Sequence, residues 1–206
     1  MGMYQLVKLA AKDIPRALAF TARTFVQKEP TSVALKLTTC DFVTTFADVM
    51  TASVNSGYSY AIVDSDDDIV AQSLSLPYHT FSHVKYGHTR ETAPMFALFA
   101  ELDKFIPPKN TIYVFAISTD VPNEGLATDL LLKTLGESRK DGYEHVAGDC
   151  TNVASQHLFK KHGFVKNVEV NYDTFEYGIK RPFQNIITTR GIQRMTCNLD
   201  NLRISN

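Results

Sequence analysis

The chain has 206 residues, of which 44% are hydrophobic and 21% charged, with a formal net charge of -1. That length and make-up fit one globular domain, 1–206, with a full core. The balanced charge leaves no electrostatic footprint for nucleic acid or an anionic membrane surface, and no apolar run reaches the ~20 residues needed to span a bilayer.

Cys40, Cys150 and Cys197 are widely spaced and never form CxxC, which suits reduced thiols in a cytoplasmic protein. The opening MGMYQLVKLAAKD lacks the charged and apolar regions of a secretory signal, and Leu6 replaces the Ser or Thr that a myristoylated Gly2 calls for. The expectation is a soluble cytoplasmic protein, monomeric or weakly dimeric.

In chain order, Tyr4 to Leu9 alternates as a strand. Asp13 can cap a helix that carries Pro15 in its first turn and an apolar stripe of Ile14, Ala17, Leu18, Ala22 and Phe25. Pro30 pushes its predecessor out of the α region, so that helix stops by Glu29. Residues 41–54 form a second helix, with Asp41 as cap and Phe42, Phe46, Val49 and Met50 turned to the core. Two short strands, 57–63 and 69–76, flank the acidic turn DSDDD and read as a hairpin with a solvated tip. A polar segment from Pro77 to Thr92 holds His79, His83 and His88. A helix over 93–106 then runs into Pro107 and Pro108.

The stretch 111–142 is the most informative. IYVFAIS is an unbroken apolar run suited to a strand buried on both faces. Asp120, Pro122, Asn123 and Gly125 break it, and Leu126, Leu130, Leu131 and Leu135 return at helical spacing. A buried strand feeding a helix through a short polar turn aims free backbone N–H groups and the positive end of the helix dipole at one point, which suits a phosphate. The turn has neither GxGxxG nor Gly-Lys-Ser/Thr, so it is neither a dinucleotide fingerprint nor a P-loop. A strand at 144–150 follows, then a helix at 152–162 stopped by Gly163 with Phe164 folding back on it, and strands at 165–177 and 187–197. The order βααββαβαβαββ predicts one mixed α/β domain with a central sheet.

Two pieces then resemble a known superfamily. FAISTDVPNEGLAT, residues 115–128, resembles the acyl-CoA signature R/Q-x-x-G-x-G/A of the GNAT N-acetyltransferases, here Pro122-Asn123-Glu124-Gly125-Leu126-Ala127. Asn152, Ser155, Leu158-Phe159 and Gly163-Phe164 resemble its second signature, N-x-x-A/S-x-x-L-Y-x-x-x-G-F. Phe25 with Glu29-Pro30, Cys150-Thr151-Asn152 with Ser155 and Lys161, and Pro182-Phe183 are similar to stretches of the insect and nematode arylalkylamine N-acetyltransferases. The sequence departs from the pattern in two places. Pro122 replaces the usual Arg or Gln and Glu124 adds an anion beside the proposed pyrophosphate. Phe159 stands where many members have a Tyr that protonates the departing thiolate.

The resemblance implies the GNAT fold, acetyl-CoA as cosubstrate, no metal, and direct attack by a small primary amine. It places the coenzyme on Phe115, Ala116 and Ile117, where the strand splays from its neighbour, and on the N–H groups of Asn123, Glu124, Gly125, Leu126, Ala127 and Thr128, with Asn152 and Phe159 alongside. Asn152 also caps its helix. An alkylamine is mostly protonated at neutral pH, so a base must take its proton. Glu29 is the candidate, just past an apolar helix; its alternative is a solvated helix-end carboxylate. Ser155 either assists the leaving sulfur or bonds within its own first turn, and Thr151 is the third catalytic candidate or a helix-start residue. His79 and His83 could share a helix face, without a third metal ligand spaced to join them, or relay a proton. Tyr58, Tyr78 and Phe81 are candidates to wall an arylalkylamine pocket. A peptide N-acetyltransferase of the same fold and a non-catalytic acyl-CoA binder stay as alternatives, as does a polyamine acceptor.

Overall fold

A computed structural model of the chain describes residues 4–87, 89–122 and 124–202. Gly2, His88 and Asn123, each singled out above, therefore lie outside the described residues. Seven strands form one sheet in the order β1-β2-β3-β4-β5-β7-β6. They are β1 Gln5–Lys8, β2 Tyr60–Val63, β3 Ile69–Pro77, β4 Thr111–Thr119, β5 His145–Cys150, β6 Val165–Asn171 and β7 Gly191–Asn198. Neighbours are antiparallel except β4 and β5, which the crossover helix α6 (Leu126–Lys140) makes parallel.

Helices cover both faces. On one side α1 (Ile14–Lys28), α3 (Thr39–Asn55) and part of α5 (Ala93–Leu102) bury Ala17, Phe42, Phe46, Val49, Met50 and Met95 against Leu74, Leu76, Tyr113 and Ala147. On the other, α6 and α7 (Val153–Lys161) pack Leu131, Leu135 and Phe159 on Ile112, Val114, Val146 and Met195. The stripes expected of α3 and α6 are the faces that are buried; on α1 the buried face is Ala17, Phe20, Thr21, Ala22 and Thr24, with Ile14, Leu18 and Phe25 of the expected stripe half-buried beside it. Among the described residues no helix is long and apolar enough to cross a membrane.

Several boundaries differ from the expectation. Thr38, not Asp41, caps α3: its hydroxyl accepts the Asp41 N–H at 3.1 Å while the Asp41 carboxylate takes the Thr38 N–H at 2.9 Å. A five-residue helix, α2 (Pro30–Ala34), follows α1 directly, because proline suits a first helical position once Glu29 has turned extended (φ -78, ψ 123). The Pro77–Thr92 segment contains one helical turn, α4 (Tyr78–Phe81). Helix α5 ends at Leu102, four residues early, since the carbonyls of Leu102 and Phe105 both accept from Arg194. The last two strands are shorter than expected and are joined by 172–190, where Tyr177 bridges Lys180 around Gly178 (φ 61). The stop at Gly163 is as read: φ is 82, and the Phe164 N–H returns to the Phe159 carbonyl at 3.1 Å with the two rings 4.4 Å apart.

Candidate active site

The site begins with a fault in strand pairing. β4 and β5 stay in register from Thr111↔His145 to Val114↔Gly148 and then part. β4 continues to Thr119 on β3 alone, while β5 continues to Cys150 on β7. A bulge sharpens the divergence: Leu74 faces Ala116 but Ser75 faces Val114, so Phe115 is the extra residue. The β5-facing edge of β4 from Phe115 onward thus has no strand partner, which leaves backbone polar groups for another use.

A cavity of about 610 Å³ runs through this gap and is lined from both faces of the sheet. On the α6/α7 side it meets Ala127, Asn152, Ala154, Ser155, Leu158 and Phe159. On the α1/α3 side it meets Thr24, Phe25, Lys28, Glu29, Phe42 and Phe46, with Tyr78, Phe81, Tyr86, Met95, Phe96 and Phe99 beyond. The rings support one another: Phe81 stacks on Tyr113 at 4.1 Å, and Phe46 contacts Phe42, Tyr86, Phe96 and Phe115 within 6.0 Å.

Glu29 is 8% exposed, so it is not a solvated helix end. Its carboxylate caps α2, accepting from Thr31 N at 3.0 Å, Thr31 Oγ1 at 2.8 Å and Ser32 N at 2.7 Å. The end of α1 is held against the end of β4 by Lys28, which donates to the Thr119 carbonyl at 3.0 Å and meets Asp120, as does Arg23. Tyr172, just after β6, is tied to the residue that follows β5. Its hydroxyl donates to the Thr151 carbonyl at 2.9 Å, and burial, with the Glu29 charge adding, pushes its phenol above the usual range.

At the start of α7, Asn152 caps as expected: its side chain accepts the Ser155 N–H at 2.8 Å. The Ser155 hydroxyl closes the same box by accepting the Asn152 N–H at 3.4 Å and also donates to the Asn152 carbonyl at 2.9 Å, so its local bonding is present along with its place on the cavity wall. Cys150 and Thr151 line the cavity too. Burial pushes the Cys150 thiol well above its ordinary range, which keeps it protonated and unreactive. Phe159 packs under Gly148, where a Cβ would come within 2.7 Å of the ring. Only glycine leaves the gap its present width.

The turn before α6 fits a diphosphate in part. Gly125, the residue before the helix, has φ 77 and open space around it. Leu126 is buried with Leu130 against Tyr60 and Ile62, so only its main chain faces outward use. The Thr128 amide is not free, contrary to expectation: it donates to the Gly125 carbonyl at 2.8 Å, closing the first helical turn. Residues 124–127 remain as donors, with Asn123 outside the described residues. Glu124 is exposed beside them.

Other expectations need correction. Tyr58 does not wall the cavity; it packs edge-on against Tyr143 at 5.4 Å and its hydroxyl donates to Asp141 at 2.8 Å. His79 and His83 are exposed and off the cavity, with His83 Nδ1 at 2.6 Å from the His79 carbonyl oxygen, so neither is placed to relay a proton. A buried network also went unforeseen. Arg194, 1% exposed, forks onto Asp149 with both contacts at 2.8 Å, and its third nitrogen reaches Asp103 at 2.9 Å. Asp149 also accepts from the Tyr113 hydroxyl at 2.8 Å; burial, and then the Asp149 charge, holds that phenol well above its ordinary value. Burial opposes the charge on Arg194, yet its bonds to Asp149 outweigh that and raise its pKa. The available signal was one arginine inside the apolar strand IQRMTC, since a buried charge requires partners.

No family model matches the chain. The fold is similar to that of arylalkylamine N-acetyltransferase 2 from Aedes aegypti, with a TM-score of 0.77 and 16% identity over 95% of this chain and 99% of that one. It is similar to the C-terminal condensation domain of Ebony in complex with β-alanyl-dopamine, at TM-score 0.79 and 16% identity over 96% and 100% of the two chains. A third likeness is to the Drosophila melanogaster polyamine N-acetyltransferase that forms N-acetylagmatine, at TM-score 0.74 and 14% identity over 95% and 100%. The architecture is that of the GNAT acetyltransferases.

Proposed function

We propose that this GNAT-fold protein is an acetyl-CoA-dependent N-acetyltransferase whose acceptor is a small primary amine with an aromatic tail. The observation that carries the reading is one continuous cavity at the β4/β5 gap, with Glu29 and an aromatic lobe on one side and the starts of α6 and α7 on the other. Acetyl-CoA supplies the acetyl group as a thioester. The amides of 124–127 would hold its diphosphate, and the open edge of β4 at Phe115, Ala116 and Ile117 would hold the pantetheine arm and polarise the acyl carbonyl.

Glu29 takes the proton that the amine must lose, directly or through water, and holds it until release to solvent. The amine nitrogen bonds to the acyl carbon as the C–S bond breaks. The thiolate then needs a proton, which Phe159 has no group to give; Thr151, Ser155 and solvent are what the gap offers. The aromatic rings of the acceptor lobe fit the tail of an arylalkylamine. Asp149 and Asp103 also line the lobe and share the one charge of Arg194, so a polyamine's second ammonium would meet an anion there and a polyamine stays the second reading.

Thermal shift with acetyl-CoA, followed by thiol release over a panel of arylalkylamines, polyamines and N-terminal peptides, tests the reading. Stabilisation by acetyl-CoA with thiol release fastest on arylalkylamines is expected. Stabilisation without release from any amine would make the chain a coenzyme binder, and release on peptides alone would move it to protein acetylation.

A further inference from the structure

The face of α5 that meets the cavity carries Met95, Phe96 and Phe99 and, one residue past the helix, Asp103. That spacing puts them on one stripe, and the Asp103 N–H still donates to the Phe99 carbonyl at 3.1 Å. The Asp103 side chain is 60% exposed, so a molecule in the cavity can reach it. Arg194 fixes its direction by holding Oδ1 at 2.9 Å, while Oδ2 has no partner among the described residues. The Asp149 side chain, by contrast, is 4% exposed, and both of its oxygens are bonded to Arg194, one of them to the Tyr113 hydroxyl as well. Asp149 thus contributes charge to the lobe, and Asp103 contributes a free acceptor.

Charge and ring chemistry indicate what that acceptor takes. Two carboxylates share one guanidinium, which leaves this end of the lobe net negative. Burial first, and then the Asp103 and Asp149 charges, hold the Tyr86 phenol above its ordinary range, so their field reaches the rings. A tail that ends in an anion or in an acceptor alone is repelled there, and one that ends in a donor is drawn in. Between Tyr78, Phe81, Tyr86, Phe96 and Phe99 the tail is flat and aromatic, and a flat ring carries a donor as a hydroxyl. A phenol, with a pKa of ~10, keeps its proton at neutral pH and can donate it to a carboxylate in a charge-assisted bond.

We propose that Asp103 is a specificity-determining residue of the acceptor site: its free Oδ2 takes the hydrogen bond of a ring hydroxyl at the end of the tail away from the amine, and so selects phenolic over plain phenyl acceptors. The inference rests on the acetyltransferase reading. Asp103 touches no reacting atom. The amine end stays with Glu29, so two carboxylates on different helices read opposite ends of one molecule.

The test is steady-state kinetics of wild-type, Asp103→Ala and Asp103→Asn with 2-phenylethylamine, its 4-hydroxy form and its 4-methoxy form. Wild-type kcat/KM for the 4-hydroxy amine should exceed both others about 10-fold, the worth of a charge-assisted hydrogen bond lessened by exposure. Asp103→Ala should shrink that ratio to about 2-fold or less, and Asp103→Asn, which keeps an oxygen but loses the charge, should fall between. Arg194 keeps Asp149 and two backbone carbonyls in either variant. A general loss of fold would lower all three amines together, so it cannot mimic a change of ratio. An unchanged ratio in Asp103→Ala overturns the proposal. So does a flat ratio for these amines while Asp103→Ala removes a preference for 1,5-diaminopentane over pentylamine, which would give Oδ2 to a second ammonium. No turnover of any amine by wild-type sinks the acetyltransferase reading and this inference with it, whereas normal wild-type turnover with a ratio that the variants leave alone sinks the Asp103 assignment alone.

Discussion

Glu29→Gln separates the two roles that the structure gives one carboxylate. As a cap, Glu29 accepts three hydrogen bonds from Thr31 and Ser32, over 2.7–3.0 Å. Glutamine keeps one oxygen there and turns an NH2 donor toward an N–H or hydroxyl that needs an acceptor. Loss of about one such bond at a helix start costs ~1–2 kcal/mol. For a chain of this size that lowers Tm by roughly 2–8 °C. A protein with about 5–15 kcal/mol of stability then stays more than ~99% folded at 25 °C, so unfolding cannot account for a large rate loss. As the base, Glu29 is worth about 10²–10⁴-fold in turnover. Thiol release at saturating acetyl-CoA and amine, beside a circular dichroism melt, measures both. Residual turnover of the variant should climb about tenfold per pH unit toward the amine's own pKa near ~10.4, because free amine then forms without a base. Turnover within threefold of wild-type at pH 7, with the melt lowered as above, would leave Glu29 a helix cap and nothing more.

Arg194→Met strands Asp149 in the interior and should cost about 3–5 kcal/mol in urea unfolding; a loss under ~1 kcal/mol would show that the fork onto Asp149 carries little. Replacing both residues, Arg194→Met with Asp149→Leu, should recover part of that loss, since no charge then remains buried. Gly148→Ala puts a Cβ 2.7 Å from the Phe159 ring and 3.3 Å from the Val114 carbonyl. It should cost about 1–3 kcal/mol and weaken acetyl-CoA binding by calorimetry, because Phe159 lines the cavity and a shift of its ring changes the cavity's shape; unchanged affinity would place the coenzyme elsewhere. Of the three cysteines, Cys40 is exposed, while burial pushes Cys197 to about 11 and Cys150 higher still. A disulfide reagent at pH 8 should therefore titrate one thiol in the native protein and three in denaturant; a second fast native thiol would contradict the burial of Cys150 and Cys197.

Local chemistry explains what could be read ahead of the structure. The stripes of α1, α3 and α6, the glycine stop after α7 and the Asn152 cap each depend on residues within one or two turns of one another. The Glu29-Pro30 break belongs with them, because proline restricts the residue before it whatever surrounds the chain. Misread boundaries had distant causes: α5 ends where Arg194, some 90 residues later, takes the carbonyls of Leu102 and Phe105. Thr38 was passed over for Asp41 because both can cap, and the reciprocal box uses the two together.

For the candidate site, residue order alone supplied the strand–turn–helix at 111–140 and brought Glu29, Thr151, Asn152 and Ser155 forward through a resemblance. Their meeting around one cavity was decided by tertiary structure, through the bulge at Phe115 and the parting of β4 from β5. Tertiary structure also divided the tyrosines, sending Tyr78 to the cavity and Tyr58 to Asp141, and it matched Arg194 with Asp149. Helical stripes, caps and turns are set by neighbours in the chain. Which tyrosine reaches the cavity, and which carboxylates an arginine holds, depends on groups that only folding brings within 3 Å.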